Sequence, residues 1–321
     1  MRWIPTSFLI TLAAAGGLSA QVLTVDQAVD EAMTTNPAVQ AAEARAGAGV
    51  QRTKQAKGHR WGRLDLAETF NYSNNPAEVF ALTLNQGRFD FDEFFSSDPN
   101  NPAGISTWMT TLDLTLPIYT GGKIGTRVEQ AETMAGADEE TWRHTAELVA
   151  FETSTAYVNL AKARENVELL GKARQTTVEH VKLAEAYAKQ GIILEADVLD
   201  ARVYLSEMDD LLQQATSGAQ LAEAALNFHM GADQATPRSL APLPPPQSIT
   251  GELGDWTSAA VEKRHDLAAA RQQLAAGRLE TKAAKSGYLP EVAVVGRYGL
   301  YDDTIFGSNG HSGTIMAVAK I

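Results

Sequence analysis

Residues 191–226 read GIILEADVLDARVYLSEMDDLLQQATSGAQLAEAAL. Within them Val198, Ala201, Leu205, Met208, Leu212, Ala215, Ala219, Ala222 and Leu226 recur at alternating steps of three and four. That is a heptad seam, the pattern of a helix packed along its whole length against another helix. Its many alanines let the two axes approach closely. Upstream, Lys123 to Gln190 holds no proline, and its only glycines are Gly125, Gly136 and Gly171. A helix that long spans roughly 100 Å, deeper than any globular core, so it too needs partner helices. Its apolar residues Val149, Ala156, Leu160, Ala163, Val167 and Leu170 keep the helical step. Gly191 breaks the pattern. The two segments predict an antiparallel coiled-coil hairpin over 122–230 with its tip at Gly191 to Ala196, and Asp197 caps the second helix from its first turn, where negative charge is favoured.

Before the hairpin the periodicity changes from helical to alternating. Leu64, Leu66, Phe70 and Tyr72 share one strand face, interrupted by Glu68, and Asp65, Ala67, Thr69 and Asn71 share the other. A second run sets Trp108, Thr110, Leu112, Leu114 and Leu116 against Met109, Thr111, Asp113 and Thr115. These predict strands over 62–73 and 106–117, each about long enough to cross a bilayer at a tilt. Between them Ser73 to Ile105 reads as a long polar and aromatic loop with turn signals at Asn74-Asn75-Pro76 and Asp98-Pro99. Its phenylalanines Phe80, Phe89, Phe91, Phe94 and Phe95 suit either a membrane interface or loop packing. Its acids Asp90, Asp92, Glu93 and Asp98 either hold a cation or hydrate the loop.

The chain contains an internal repeat. Thr53-Lys54-Gln55-Ala56-Lys57 matches Thr281-Lys282-Ala283-Ala284-Lys285 at an offset of 228 residues, and both segments then switch from helix to strand. Leu64 meets Val292, Leu66 meets Val294 and Phe70 meets Tyr298. The first repeat runs over 21–245, with Asn36-Pro37 opening its first helix and a Pro-rich linker centred on Leu243-Pro244-Pro245-Pro246 closing it. The second occupies 246–321, with a helix, a strand over 289–301 and the start of another over 314–321. It stops before any hairpin of its own, and the reading is of a fragment or a truncated gene product.

Composition narrows the function. Met1 and Arg2, the apolar run from Phe8 to Leu18 and the small residues at Ser19 and Ala20 predict a signal peptide over 1–20. The absence of cysteine removes disulfide scaffolds, thiolate metal sites and N-terminal lipidation. A formal net charge of −12 argues against nucleic acid as a partner. Six scattered histidines match no metal spacing, and no nucleophile elbow or phosphate loop is present, so no catalytic, cofactor or metal residues are assigned.

Two complete repeats supply four strands, whereas a closed membrane barrel needs about eight or more. The barrel must therefore be built from several chains, with the helices continuing it as a tube. The fold class is mainly α with membrane β-strands: long antiparallel coiled-coil hairpins in an α-barrel, and strands contributing to an oligomeric transmembrane β-barrel. At this point the chain resembles the TolC family of outer-membrane efflux proteins. The resemblance rests on Leu23-Thr24-Val25-Asp26-Gln27-Ala28 with Asn36-Pro37, on Leu116-Pro117-Ile118-Tyr119-Thr120-Gly121-Gly122, and on the tip from Gly191 to Ala201. It implies a homotrimer with a twelve-stranded barrel and a periplasmic tunnel, serving tripartite efflux or type I secretion beside a periplasmic adaptor and an inner-membrane transporter. It further implies that Gly191 and Ile192, with Ile193 and Leu194 beside them, contact the adaptor. At Leu194 the family commonly has serine or threonine, and His265 stands where it has proline. The alternatives are a soluble periplasmic coiled-coil scaffold or adaptor, which shares the hairpin and needs no strands, and a truncated channel without function.

Overall fold

The computed structural model describes residues 22–246, 248 and 250–321; the signal peptide expected over 1–20 lies outside them. The chain divides into two compact units, one of residues up to Ala42 with Arg143–Thr257, the other of Glu43–Trp142 with Ser258–Ile321.

In the first unit, helix α1 (Val25–Thr35) opens on a reciprocal cap. The Thr24 hydroxyl accepts from the Gln27 amide at 3.2 Å, and the Gln27 carboxamide accepts from the Thr24 amide at 3.0 Å. Asn36 then joins α1 to helix α2 (Pro37–Gly58): its Oδ1 accepts from the Ala38 amide at 2.8 Å, and its Nδ2 donates to the His229 carbonyl at 2.7 Å. Pro37 sits at the first helical position, where a missing N–H costs nothing. Helices α5 (Lys123–Lys189) and α6 (Glu195–His229) form the hairpin. Every seam position from Val198 to Leu226 is buried or half-buried, whereas most residues between them are exposed. Ion pairs Arg164–Glu223, at 2.8 Å, and Arg174–Asp209 cross between the two helices.

Regular structure reaches to within a few residues of the Pro-rich linker centred on Leu243–Pro246. Ser239–Leu240 forms strand β4, which pairs in parallel with strand β1 (Val22–Leu23). Two residues carry no periodicity, so this pairing left no sequence signal. Tyr157 of α5 holds it: its hydroxyl lies 2.8 Å from the Leu23 carbonyl and 2.9 Å from the Ala241 carbonyl, beneath a core of Leu23, Ala28, Leu160, Leu226 and Met230. Burial pushes this phenol above its ordinary pKa, which keeps the donating proton in place. Tyr157→Phe removes the donor shared by the two carbonyls; the Leu23 carbonyl keeps its bond from the Ala241 amide at 2.8 Å, while the Ala241 carbonyl loses this partner, and the chain is expected to be destabilised by about 1–3 kcal/mol. A thermal midpoint unchanged by that substitution would show the hydroxyl to be idle.

In the second unit, strands β2 (Arg63–Ser73), β3 (Ile105–Tyr119), β5 (Glu291–Asp302) and β6 (Gly310–Lys320) form one antiparallel sheet in the order β2-β3-β5-β6. The alternating pattern put the strands in place, with corrections at their ends; β5 starts at Glu291 rather than 289. β3 continues through Pro117 to Tyr119 by way of a bulge, which accommodates the proline. β6 starts at Gly310 rather than 314. Register fixes the faces: Leu66 pairs Leu112, Leu112 pairs Tyr298, and Leu64 pairs Leu114.

The connection between β2 and β3 is not a plain loop. It holds helix α3 (Pro76–Asn85), capped by Asn75, and helix α4 (Phe91–Ser96), capped by Asp90. At the end of α3, Gln86 donates to the Ser106 carbonyl at 2.9 Å and the Thr107 hydroxyl at 2.6 Å, and both Gln86 and Thr107 are buried. Thr107 shares its sheet face with Thr111 and Asp113, so α3 is seated on the polar face of the sheet.

The helix expected at the start of the second repeat is two helices, α7 (Leu253–Lys263) and α8 (His265–Lys285), broken at Arg264. His265 occupies the first position of α8, and its Nδ1 lies 2.6 Å from Glu140 Oε2 on α5. The first turns of α5 are flanked on both sides. Lys57–Glu132 and Arg52–Asp138 tie them to α2, while Lys282–Glu129 and a two-pronged Arg127–Glu280 pair tie them to α8. Small residues make this close. Gly49 of α2 faces Ala135, and Ala269, Ala276 and Ala283 form a buried row on α8. Ala42 and Gly49 are the matching buried row of α2, one residue out of step with the 228 offset that aligns the strands.

Candidate functional site

Among the described residues, two of the surfaces that leave large apolar side chains without protein cover stand out. The first is the hairpin tip. α5 ends in a left-handed glycine: Gly191 has φ of +75°, its amide donates to the Ala188 carbonyl at 2.9 Å, and the Ile192 amide donates to the Tyr187 carbonyl at 3.0 Å. This is the Schellman arrangement, which satisfies the last carbonyls of a helix and demands a residue free of Cβ strain. The turn throws the next residues outward. Ile192 is 62% exposed and Leu194 72%, while Ile193 turns half inward and Val198 is buried. Leu194 stands at the N-cap of α6 with no side-chain acceptor to offer the helix amides. Asp197 works in the other direction: its Oδ2 accepts from the Leu194 amide at 2.9 Å, which pins the tip backbone to the first turn of α6.

Sequence reasoning missed two members of this surface. Leu199 and Tyr187 are both exposed beside the tip. Leu199 carried a usable signal, being a large apolar residue directly next to the seam position Val198 and therefore off the seam. Below the tip Arg202 clasps Glu185 at 2.6 Å, and this hydrogen bond holds the Glu185 carboxyl below its ordinary pKa.

The second surface is one whole face of the sheet. Leu64, Leu66, Phe70 and Tyr72 on β2, Leu112 and Leu114 on β3, Tyr298 on β5 and Ile315 on β6 are all exposed, Leu66 to 70% and Ile315 to 83%. The pairing register places them on the same side. A row of exposed apolar side chains on one sheet face marks a surface that meets lipid or protein rather than water. Glu68 lies among them with its charge engaged: Thr110 donates to one carboxylate oxygen and the Phe306 amide to the other. The opposite face carries Asp65, Thr69, Asn71, Thr111 and Thr115, and an ion pair there joins Asp113 to Arg297 at 2.5 Å. The sheet is therefore apolar on one side and polar on the other. Among the described residues β2 and β6 each have one unpaired edge.

Among the described residues no group of three or more acidic or histidine side chains is placed to hold a metal ion. The loop acids separate: Asp90 caps α4, and Asp98 accepts from the Asn100 amide. No described helix is long and apolar enough to cross a membrane, so any span must come from the strands.

Known proteins resemble the chain in both sequence and fold. The family model described as outer membrane efflux protein matches residues 28–232. Protein CyaE of Bordetella pertussis is 33% identical over 140 residues, covering 43% of this chain and 29% of that protein. The fold is shared with a membrane protein from Pseudomonas aeruginosa, at a TM-score of 0.73 and 20% identity over 92% of this chain and 66% of that one. It is shared equally with the CmeC outer membrane channel of Campylobacter jejuni, at a TM-score of 0.74 and 15% identity over 92% and 61%. The chain thus spans less than a third of the curated relative and about two thirds of the solved structures.

Proposed function

Because this chain belongs to the outer membrane efflux protein family, we propose that it is the outer-membrane exit duct of a tripartite efflux or type I secretion system. Three copies set their sheets side by side, each β6 edge pairing with the β2 edge of a neighbour, and so close a barrel. The apolar face looks into lipid and the polar face, with Asp113 and Arg297, looks into the aqueous lumen. The α5–α6 hairpins continue the tube into the periplasm. There the exposed Gly191–Leu194 turn meets a periplasmic adaptor, which couples the duct to an inner-membrane transporter. A wide aqueous lumen selects little, so the transporter chooses the cargo. The family and the fold are those of channel proteins rather than enzymes.

One observation carries this reading: the continuous exposed apolar face across all four strands. A soluble periplasmic scaffold would leave that face in water. The two readings part on extraction. The native protein is expected in the outer-membrane fraction, released only by detergent as an oligomer, and to give discrete conductance steps in planar bilayers. Recovery from the soluble periplasm without detergent would refute the duct and favour the scaffold.

A further inference from the structure

A cavity of about 320 Å³ lies inside the β2–β3 connection, between α3, α4 and the return segment 97–105. That volume suits a small organic molecule. Phe80, Phe89 and Phe94 line it, their ring centroids each 5.5 Å apart. Two carboxylates, Asp90 and Glu93, share the lining with a single cation, Arg88. Asp90 is committed to α4, accepting from the amides of Asp92 and Glu93 at 2.8 and 3.0 Å. Arg88 is committed to Asp303 at 3.0 Å. The Glu93 carboxylate takes no hydrogen bond or ion pair among the described residues, and it is exposed one residue before Phe94. The lining thus offers aromatic rings, a net negative charge and, in Glu93, one carboxylate without a polar partner among the described residues. Rings attract cations through their faces and pack against apolar bodies.

We propose that this cavity binds an amphiphilic organic cation, its ammonium between Glu93 and Phe94 and its apolar body against Phe80 and Phe89. The connection leaves the sheet at the end opposite the helices, with α3 on the polar face. In the duct proposed above, the ligand would sit at the external mouth on the lumen side. Binding itself needs only the cavity, so its failure and the failure of the duct are read by different measurements.

The test uses the full-length protein in detergent, titrated with benzyltrimethylammonium and, for contrast, with its uncharged isostere neopentylbenzene and with benzenesulfonate. Calorimetry and ligand-observed magnetisation transfer read the binding. Saturable binding of the ammonium is expected, about tenfold tighter than the neutral isostere, with the sulfonate excluded. Glu93→Gln, isosteric and exposed, is expected to weaken it about tenfold, and Phe94→Leu, which keeps the apolar volume and removes the ring, by a similar factor. The proposal fails if the ammonium does not saturate, if the neutral isostere binds equally well, or if both variants bind the ammonium as the parent does.

Discussion

Leu66→Arg is expected to empty the outer membrane of assembled protein, while Thr69→Arg, three residues along the same strand, is expected to leave it there. Both positions are exposed on β2, and they differ only in the face they occupy. Leu66 stands in the apolar row with Leu64, Phe70 and Leu112; Thr69 stands in the polar row with Asp65 and Asn71. An arginine facing lipid near the bilayer midplane costs about 2–4 kcal/mol. In a closed oligomer every copy bears that cost at once. An arginine facing a water-filled lumen keeps its hydration and costs little. The readout is the heat-sensitive oligomer band in outer-membrane fractions. Equal loss in both variants would mean that the strand tolerates no added arginine on either face and would remove the two-faced reading; equal retention would mean that the apolar face does not meet lipid.

The second large effect concerns the tip. Ile192→Asp combined with Leu194→Asp is expected to leave the oligomer assembled and to abolish export, with adaptor capture falling by about a hundredfold. Two exposed apolar side chains at the centre of a contact each contribute about 1.4 kcal/mol when desolvated, roughly tenfold apiece. Neither is needed by the hairpin itself, since Val198 and the seam below supply its packing and Asp197 supplies the backbone anchor. Co-purification with the adaptor and accumulation of a transported dye report the loss. Normal export by the double variant would place the adaptor contact elsewhere and reduce Ile192 and Leu194 to solvent-facing residues of a turn.

The features that could be read from sequence were those with a period. The heptad seam from Val198 to Leu226 announced α6 and its partner, and two-residue alternation placed β2, β3 and β5 to within about two residues at each end. What lacked a period was missed. β1 and β4 are two residues each and exist because Tyr157 bonds to the carbonyls beside them. α3 and α4 are too short to show a helical stripe. Their caps were nonetheless visible: Asn75-Pro76 offers an N-cap followed by proline at the first helical position, and Asp90 precedes two acids in a first turn. Reading Asn75-Pro76 only as a turn and Asp90 only as a cation-holding or hydrating loop acid hid two helices and the cavity they enclose. The repeat register illustrates a different limit. Side-chain identity aligned Thr53 with Thr281, whereas burial aligns Gly49 with Ala276, because small residues are interchangeable in sequence but not in packing.

In the ring proposed above, the edges of β2 and β6, unpaired among the described residues, would make the fate of each copy depend on its neighbours. A chain that folds correctly but cannot offer one edge still uses up the edge of a sound partner. In a ring of three, a cell making equal amounts of sound and defective chains would keep only about one ring in eight free of a bad member. Alleles that spoil a single strand edge should therefore act as genetic poisons rather than as simple losses, and their severity should track gene dosage.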